Sequence, residues 1–337
     1  MSDRWGGVLR GVFGGALGAL ATVGGVAGGW GAYSALGVDH AVALPPAIDA
    51  ERREFRSREA GVVGYYAARE VGGRPLVLVH SVNAAASAYE MRPLFEAYRH
   101  RRPTYALDLP GYGFSERGER PYTPALFTAA LVELLEREVR EPGPVDVIAL
   151  SLGCEFAAAA ALALPERVGS LALISPSGLG WQRGPLSEAE RAESAATSAR
   201  LLRGFARPLW SQPFYDLLVS PPSIRYFLQQ SFQGKPDAGL IAYDYATSHQ
   251  PGARFAPLSF ISGALFTRDI LPTVYERVEQ PTLVLYDRDA FVSFDALPAL
   301  CERRPNWRAA RISPTRGLPH FDELAQTTAA LERFWGA

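Results

Sequence analysis

The stretch that most constrains this chain is Val145-Asp146-Val147-Ile148-Ala149-Leu150-Ser151-Leu152-Gly153-Cys154-Glu155-Phe156, which runs into an alanine tract. Apart from Asp146, residues 145–150 are β-branched or apolar and follow the break Pro142-Gly143-Pro144, which predicts a short buried strand. Residues 152–164 are rich in Ala and Leu, hold no Gly or Pro after Gly153 and stop at Pro165, which predicts a helix. Ser151 therefore sits on a tight strand-to-helix turn. Ala149 and Gly153, two residues to either side, are small, as a strained turn with no room beside the hydroxyl requires. Taken alone, the stretch also fits a serine that merely caps a helix. What decides is the rest of the chain.

With 337 residues and 48% apolar content, the chain can bury one large core with an insertion, or two domains. Its formal net charge is −1 and its arginines alternate with Asp and Glu, so nucleic acid is not expected as a partner. Lys235 stands alone among many arginines, a compositional bias without a functional message. Cys154 and Cys301 make no disulfide framework, and no CxxC or HExxH spacing points to a metal; no metal and no cofactor is expected.

Residues 11–37 carry no charge. As a helix, such a run would cross the roughly 30 Å hydrocarbon core of a bilayer. Trp30 and Tyr33 fall near one end, where amphipathic rings favour the interface. The glycines weaken a helix in water, yet small residues four apart, such as Gly11 and Gly15 or Gly24 and Gly28, let membrane helices approach closely. A membrane anchor, a cleaved signal peptide and an apolar arm lying on the soluble domain are all compatible, with the anchor favoured by length and by Arg4 and Arg10 in front. Arg52, Arg53 and Arg56 beyond the run leave the side of the membrane undecided.

Residues 38–59 turn polar through Pro45-Pro46 into ERREFRSRE, which reads as a linker or a lead-in helix. Residues 61–67 and 75–80 read as a hairpin partner and a buried strand about Gly72-Gly73. Residues 103–108 are a further strand, 124–139 a helix, and 170–174 a strand after the Ser151 helix. At Ser175-Pro176-Ser177-Gly178 the alternation stops, and about a hundred residues of proline-cut helical sequence follow. Residues 281–286 and 308–312 resume the strands, and 322–335 form a closing helix. The alternation implies an α/β fold, a mostly parallel sheet covered on both faces.

Five places together resemble the α/β-hydrolase superfamily. Ala149-Leu150-Ser151-Leu152-Gly153 is similar to its G-x-S-x-G nucleophile elbow, with Ala at the first Gly. Leu78-Val79-His80-Ser81-Val82 resembles its His-Gly oxyanion loop, with Ser81 where Gly is usual. Asp108-Leu109-Pro110-Gly111-Tyr112-Gly113-Phe114-Ser115 matches its D-x-P-G-x-G-x-S turn. Asp289-Ala290-Phe291-Val292 is similar to the segment bearing the acid, and Gly317-Leu318-Pro319-His320-Phe321 to the loop bearing the base. The resemblance covers residues 60–177 and 278–337. It implies an α/β-hydrolase fold with a helical cap inserted before the acid-bearing strand: an N-terminal segment at 1–42, core at 43–177, cap at 178–277 and core again at 278–337.

A serine hydroxyl is a poor nucleophile at neutral pH until an imidazole takes its proton. Of the five histidines, His40, His80, His100 and His249 read as structural, which leaves His320 as the base. Asp289 is the acid that would fix its tautomer, with Asp287 two residues away as the rival. By resemblance the oxyanion donors are the backbone N–H groups of Leu152 and Val82, and Ser81 and Asn83 lie where they could assist at the substrate. Trp210 and Phe214 of the cap could line an apolar acyl pocket, although apolar residues at helical spacing also build a helix's own core. The implied function is a serine esterase or lipase-like enzyme acting on a small or lipid-like ester through an acyl-enzyme. A cofactor-free perhydrolase or haloperoxidase, a carbon–carbon bond hydrolase, and a non-catalytic membrane-tethered binding protein are the alternatives.

Overall fold

The computed structural model describes residues 23–180 and 185–336, so residues 11–22 of the uncharged run lie outside it. The described residues begin with helix α1 (Val23–Gly37) and strands β1 (Glu51–Ser57), β2 (Gly61–Ala68) and β3 (Leu76–Val79). Helix α2 (Arg92–Tyr98), strand β4 (Thr104–Leu107), helix α3 (Pro124–Glu133), strand β5 (Val145–Leu150), helix α4 (Gly153–Ala163) and strand β6 (Val168–Ile174) follow. The chain then leaves the sheet for α5 (Glu188–Phe205), α6 (Pro208–Leu218), α7 (Pro221–Ser231), α8 (Ala238–Ser248), α9 (Phe255–Ile261) and α10 (Ile270–Thr273). It returns through β7 (Thr282–Arg288), α11 (Leu297–Arg303), β8 (Trp307–Arg316), α12 (Pro319–Asp322) and α13 (Leu324–Trp335).

The described strands form one sheet in the order β1-β2-β4-β3-β5-β6-β7-β8. From β4 to β8 every neighbouring pair is parallel, while β1–β2 and β2–β4 are antiparallel. Buried strands with two covered faces need apolar residues at every position. In β3 and β5, Val77, Val79, Val147 and Ala149 pack with Leu126, Phe127 and Ala157 of α3 and α4. Their alternates Leu76, Leu78, Ile148 and Leu150 pack with Leu94, Phe95 and Leu331 of α2 and α13. Each such aliphatic side chain taken from water contributes roughly 1.5–3 kcal/mol before entropy is subtracted.

ERREFRS is neither linker nor helix but edge strand β1, in which Phe55 and Ser57 turn inward while Glu51, Arg52, Glu54 and Arg56 stay exposed. An edge strand tolerates charge on its open side, and charge there discourages further strand addition. Nor do β2 and β3 form a hairpin: β4 lies between them, antiparallel to β2 and parallel to β3.

Prolines set the helix starts in the cap. Pro208 and Pro221 open α6 and α7 at a position where the missing N–H costs nothing. Ser187 and Glu190 close a capping box at the start of α5, and the Asp237 carboxylate accepts the Leu240 N–H at 2.7 Å to start α8. Ser151, Asp289 and His320 follow the carboxyl ends of β5, β7 and β8, the edge at which open α/β sheets bind ligands.

Candidate active site

Ser151 is held at φ 52°, a left-handed conformation that a non-glycine residue occupies only when its surroundings impose it. Its N–H donates to the Ile174 carbonyl at 2.8 Å, which ties the turn to β6. A Cβ at Gly153 would overlap the carbonyl oxygen of His80, so at this point the elbow lies against the backbone that follows β3. Small residues at this turn are a steric requirement.

His80 is fully buried and serves that contact. Its Nε2 accepts the Leu109 N–H at 2.9 Å, which leaves the proton on Nδ1, 2.5 Å from the Ser81 carbonyl. Burial pushes its pKa down to about 3, so the ring is a neutral strut. Asp108 likewise serves the turn that follows β4. Its carboxylate accepts the N–H groups of Ala88 and Phe114, both at 2.9 Å, and leaves no room for a side chain at Gly113.

The loop after β3 is organised by Glu90, a residue that the sequence reading passed over. Its buried carboxylate accepts the Ser81 N–H at 2.8 Å, the Ser81 hydroxyl at 2.9 Å and the Asn83 amide at 2.8 Å. Ser81 and Asn83 are thus engaged with Glu90, and the departure from Gly at position 81 is matched by this buried acceptor. Val82, between them, and Leu152 are both buried, and neither backbone N–H donates to a protein acceptor among the described residues. Burial drives the Glu90 carboxyl up to about 7 against those donors. Across from it, burial and then the charge of Glu90 raise Asp244 of α8 well above the usual carboxylate range.

Asp289 and Asp287 are separated by what they touch. Asp289 Oδ1 accepts the N–H groups of Phe291 at 2.7 Å and Val292 at 3.1 Å, an Asx turn that aims the carboxylate. Its Oδ2 lies 2.9 Å from where a Cβ on Gly317 would stand, so it faces the loop that carries His320. Burial raises its pKa, opposed by those two N–H groups and the hydroxyl of Ser175, itself at φ 44° at the tip of β6. Asp287 instead accepts from Arg311 Nε at 2.6 Å and the Thr315 N–H at 2.9 Å, both on β8. Burial pushes Asp287 up, but Thr315 and Arg311 outweigh it and hold the carboxyl below its ordinary value.

His320 is buried, and its Nε2 lies 2.7 Å from the Glu90 carbonyl. A carbonyl only accepts, so Nε2 carries the proton, while Nδ1 is buried without a partner. Burial lowers the ring's pKa to about 4 and keeps it neutral. The structure therefore brings Asp289 to the His320 loop but closes neither an Asp289–His320 nor a Ser151–His320 hydrogen bond. Of the cap candidates, Phe214 stacks on Phe205 of α5 at 5.1 Å, and Trp210 is 53% exposed on α6. His249 packs on Tyr245 and bonds its carbonyl at 2.7 Å, a satisfied structural histidine. Among the described residues no cluster of His, Cys, Asp and Glu is arranged to hold a metal ion.

A sequence model described as the alpha/beta hydrolase family matches residues 76–330. No curated relative matches the chain. Among solved structures, a serine hydrolase involved in carbazole degradation superposes with TM-score 0.66 at 16% identity, over 85% of this chain and 99% of its own. A thermophilic esterase from Thermogutta terrifontis gives 0.63 at 18% identity, over 85% and 98%. A membrane phospholipase A described as a bacterial virulence factor gives 0.63 at 18% identity, over 98% of this chain and 96% of its own. At such identities the likeness is one of fold. The matched family spans most of the sequence, including the strained serine turn and the loops after β3, β7 and β8, and the chain belongs to the α/β-hydrolase family.

Proposed function

We propose that this hydrolase cleaves a carboxylic ester of a small or lipid-like substrate through an acyl-enzyme on Ser151, with His320 as base and Asp289 as its orienting acid. The observation that carries the reading is Ser151 at φ 52° on the turn between β5 and α4, hard against the loop after β3. Backbone strain of this kind persists where the surrounding structure imposes it; in this reading the Leu152 and Val82 N–H groups are the donors for the tetrahedral oxyanion.

For the chemistry, the His320 imidazole leaves the Glu90 carbonyl, takes its proton on Nδ1 toward Asp289 and turns a bare Nε2 to Ser151. That exchange is favourable in kind, since a neutral hydrogen bond is replaced by one to a carboxylate, which is about twice as strong. Ser151 then attacks the acyl carbonyl as His320 accepts its proton. The imidazolium returns that proton to the leaving alcohol, and a water activated by the same ring releases the acid. A hydrolytic panel of nitrophenyl esters from acetate to palmitate, run on the wild type and Ser151→Ala, tests the reading. Activity lost by 10⁴-fold or more in the alanine variant supports it. Wild-type inactivity on every ester would hand the site to carbon–carbon bond hydrolysis or perhydrolysis.

The same reading places the protein at a membrane through residues 11–37, on either side of it. It is supported by that uncharged run, and by a structural neighbour that is a membrane phospholipase A and aligns over 98% of this chain. Among the described residues no helix is long and apolar enough to cross a bilayer; the run extends beyond them. Flotation of the full chain with membranes after detergent-free lysis, resistant to high salt, is the expected result, and recovery in the aqueous fraction would contradict it.

A further inference from the structure

Every large hydrophobic side chain that the described residues leave exposed lies on four helices: Tyr33 and Leu36 on α1, Leu201 on α5, Leu209, Trp210 and Leu217 on α6, and Tyr226 on α7. α6 packs against each of the other three, so these side chains surround one element. Leu209 is 91% and Leu36 89% exposed, values that call for a partner when they recur within one neighbourhood. Trp210 and Leu217, seven residues apart, share a face of α6, with Leu209 beside them.

Around α6 the exposed charges are cationic, while the start of α5 carries the exposed acids Glu188, Glu190 and Glu193. Between residues 199 and 236 the cations Arg200, Arg203, Arg207, Arg225 and Lys235 are all exposed. The single acid in that span, Asp216, is buried. It accepts the Ser34 hydroxyl at 2.5 Å and the Gln212 amide at 2.7 Å, and pairs with His40 at 3.0 Å. Leucines beside Trp and Tyr, ringed by arginines, are the composition of a surface that lies in the headgroup region of an anionic bilayer. A second copy of the same cationic face would meet like charge.

Those bonds also say where the uncharged run arrives. Trp30 Nε1 donates to the Pro213 carbonyl at 2.7 Å, and Ser34 and His40 hold Asp216, so α1 is strapped along α6. The strap sets the exposed Tyr33 and Leu36 of α1 beside the cap.

We propose that the face centred on α6, with the exposed parts of α1, α5 and α7, docks on an anionic lipid bilayer and lays the cap against it. This rests on the membrane reading above. For a tethered protein the docking is an intramolecular equilibrium. Each arginine removed shifts it about fivefold toward the undocked form at low salt, and each buried leucine roughly tenfold.

The test uses the full chain on phosphatidylcholine vesicles with and without phosphatidylglycerol, each containing brominated lipid that quenches nearby indoles. The Trp210 signal is taken as the difference between wild type and Trp210→Phe. The expected result is quenching of Trp210 on anionic vesicles. The docked-to-undocked ratio then falls about 100-fold in R200Q/R203Q/R207Q and comparably in L36S/L209S, while both variants still float with the vesicles and hydrolyse a short soluble ester. Flotation with Trp210 unquenched leaves the anchor standing and overturns the docking face. Binding that high salt reverses, with Trp210 quenched, supports docking and removes the anchor. A vesicle-free dimer that L36S/L209S dissolves assigns the face to a second copy and overturns the proposal, as does a chain that neither floats nor shows quenching.

Discussion

Glu90→Gln is the most informative single change, because Glu90 touches both halves of the proposed machinery: its carboxylate holds Ser81 and Asn83, and its carbonyl meets His320. The wild-type carboxyl is raised from 4.5 to about 7, chiefly by burial. The folded state therefore holds that proton more tightly than the unfolded chain, so stability falls as pH rises from about 4.5 to about 7. A shift of this size corresponds to about 3 kcal/mol at most. Glutamine does not titrate, so that slope vanishes. Against this, one amide oxygen cannot accept all three donors, which costs roughly 1–3 kcal/mol at any pH. The variant is expected to be the less stable protein near pH 5 and to regain about 3 kcal/mol relative to wild type by pH 8. The groups facing Glu90 are Asp244 from α8 and Tyr112 from the turn after β4; both persist in the variant, although Asp244 is coupled to Glu90 and will titrate lower without it. Urea denaturation of both proteins at pH 5 and pH 8 measures the difference. In the same variant the Val82 N–H loses its anchored neighbours. Loss of a whole oxyanion donor costs about 10²–10³-fold, so a displaced one should lower kcat by about 10- to 100-fold with KM little changed. A stability difference that does not vary with pH, together with an unaltered kcat, would refute both the charge assignment and the positioning role.

Asp289→Asn should lower kcat by about 10³- to 10⁴-fold through the wrong imidazole tautomer, while Asp287→Asn, which loosens only the contacts to Arg311 and Thr315, costs much less; purified, folded variants assayed on one ester decide it. Gly153→Ala forces a Cβ onto the His80 carbonyl and should yield a protein that is both destabilised and nearly inactive; a normal thermal midpoint with full activity would disprove the tight contact. Phe214→Ser removes the stacking partner of Phe205. If Phe214 lines the acyl pocket, preference among ester chain lengths changes more than acetate hydrolysis does, and an unchanged profile at lowered stability places it in the cap's own core.

The parts of the fold set by local pattern were legible in the sequence. The run from Val145 into the alanine tract announces strand, turn and helix through its β-branched residues, its Ala and Leu content and the Pro and Gly breaks around it, and the order Ser151, Asp289, His320 follows the strand ends. What failed was non-local. Nothing in residues 61–80 says that β4 will lie between β2 and β3, because register between strands is decided by surfaces contributed from elsewhere in the chain. β1 was hidden by its charges, with only Phe55 and Ser57 marking an inward face. Glu90 was missed because an isolated glutamate ahead of a helix usually faces water. Ser81 at a position where glycine is usual was the available signal, since a buried hydroxyl needs an acceptor. The choice of Asp289 over Asp287 rested on the count to Val292; in the structure the N–H groups of Phe291 and Val292 hold one oxygen of the Asp289 carboxylate, and the variants above decide between the two acids.

The central claim, that Ser151 is the nucleophile, is tested most directly by treating the folded protein with a fluorophosphonate and locating the adduct by intact mass and peptide mapping. The account predicts one phosphonyl group per chain, on Ser151, absent from Ser151→Ala and strongly slowed in His320→Ala. An adduct on any other residue, or undiminished labelling of the Ser151 variant, would contradict it.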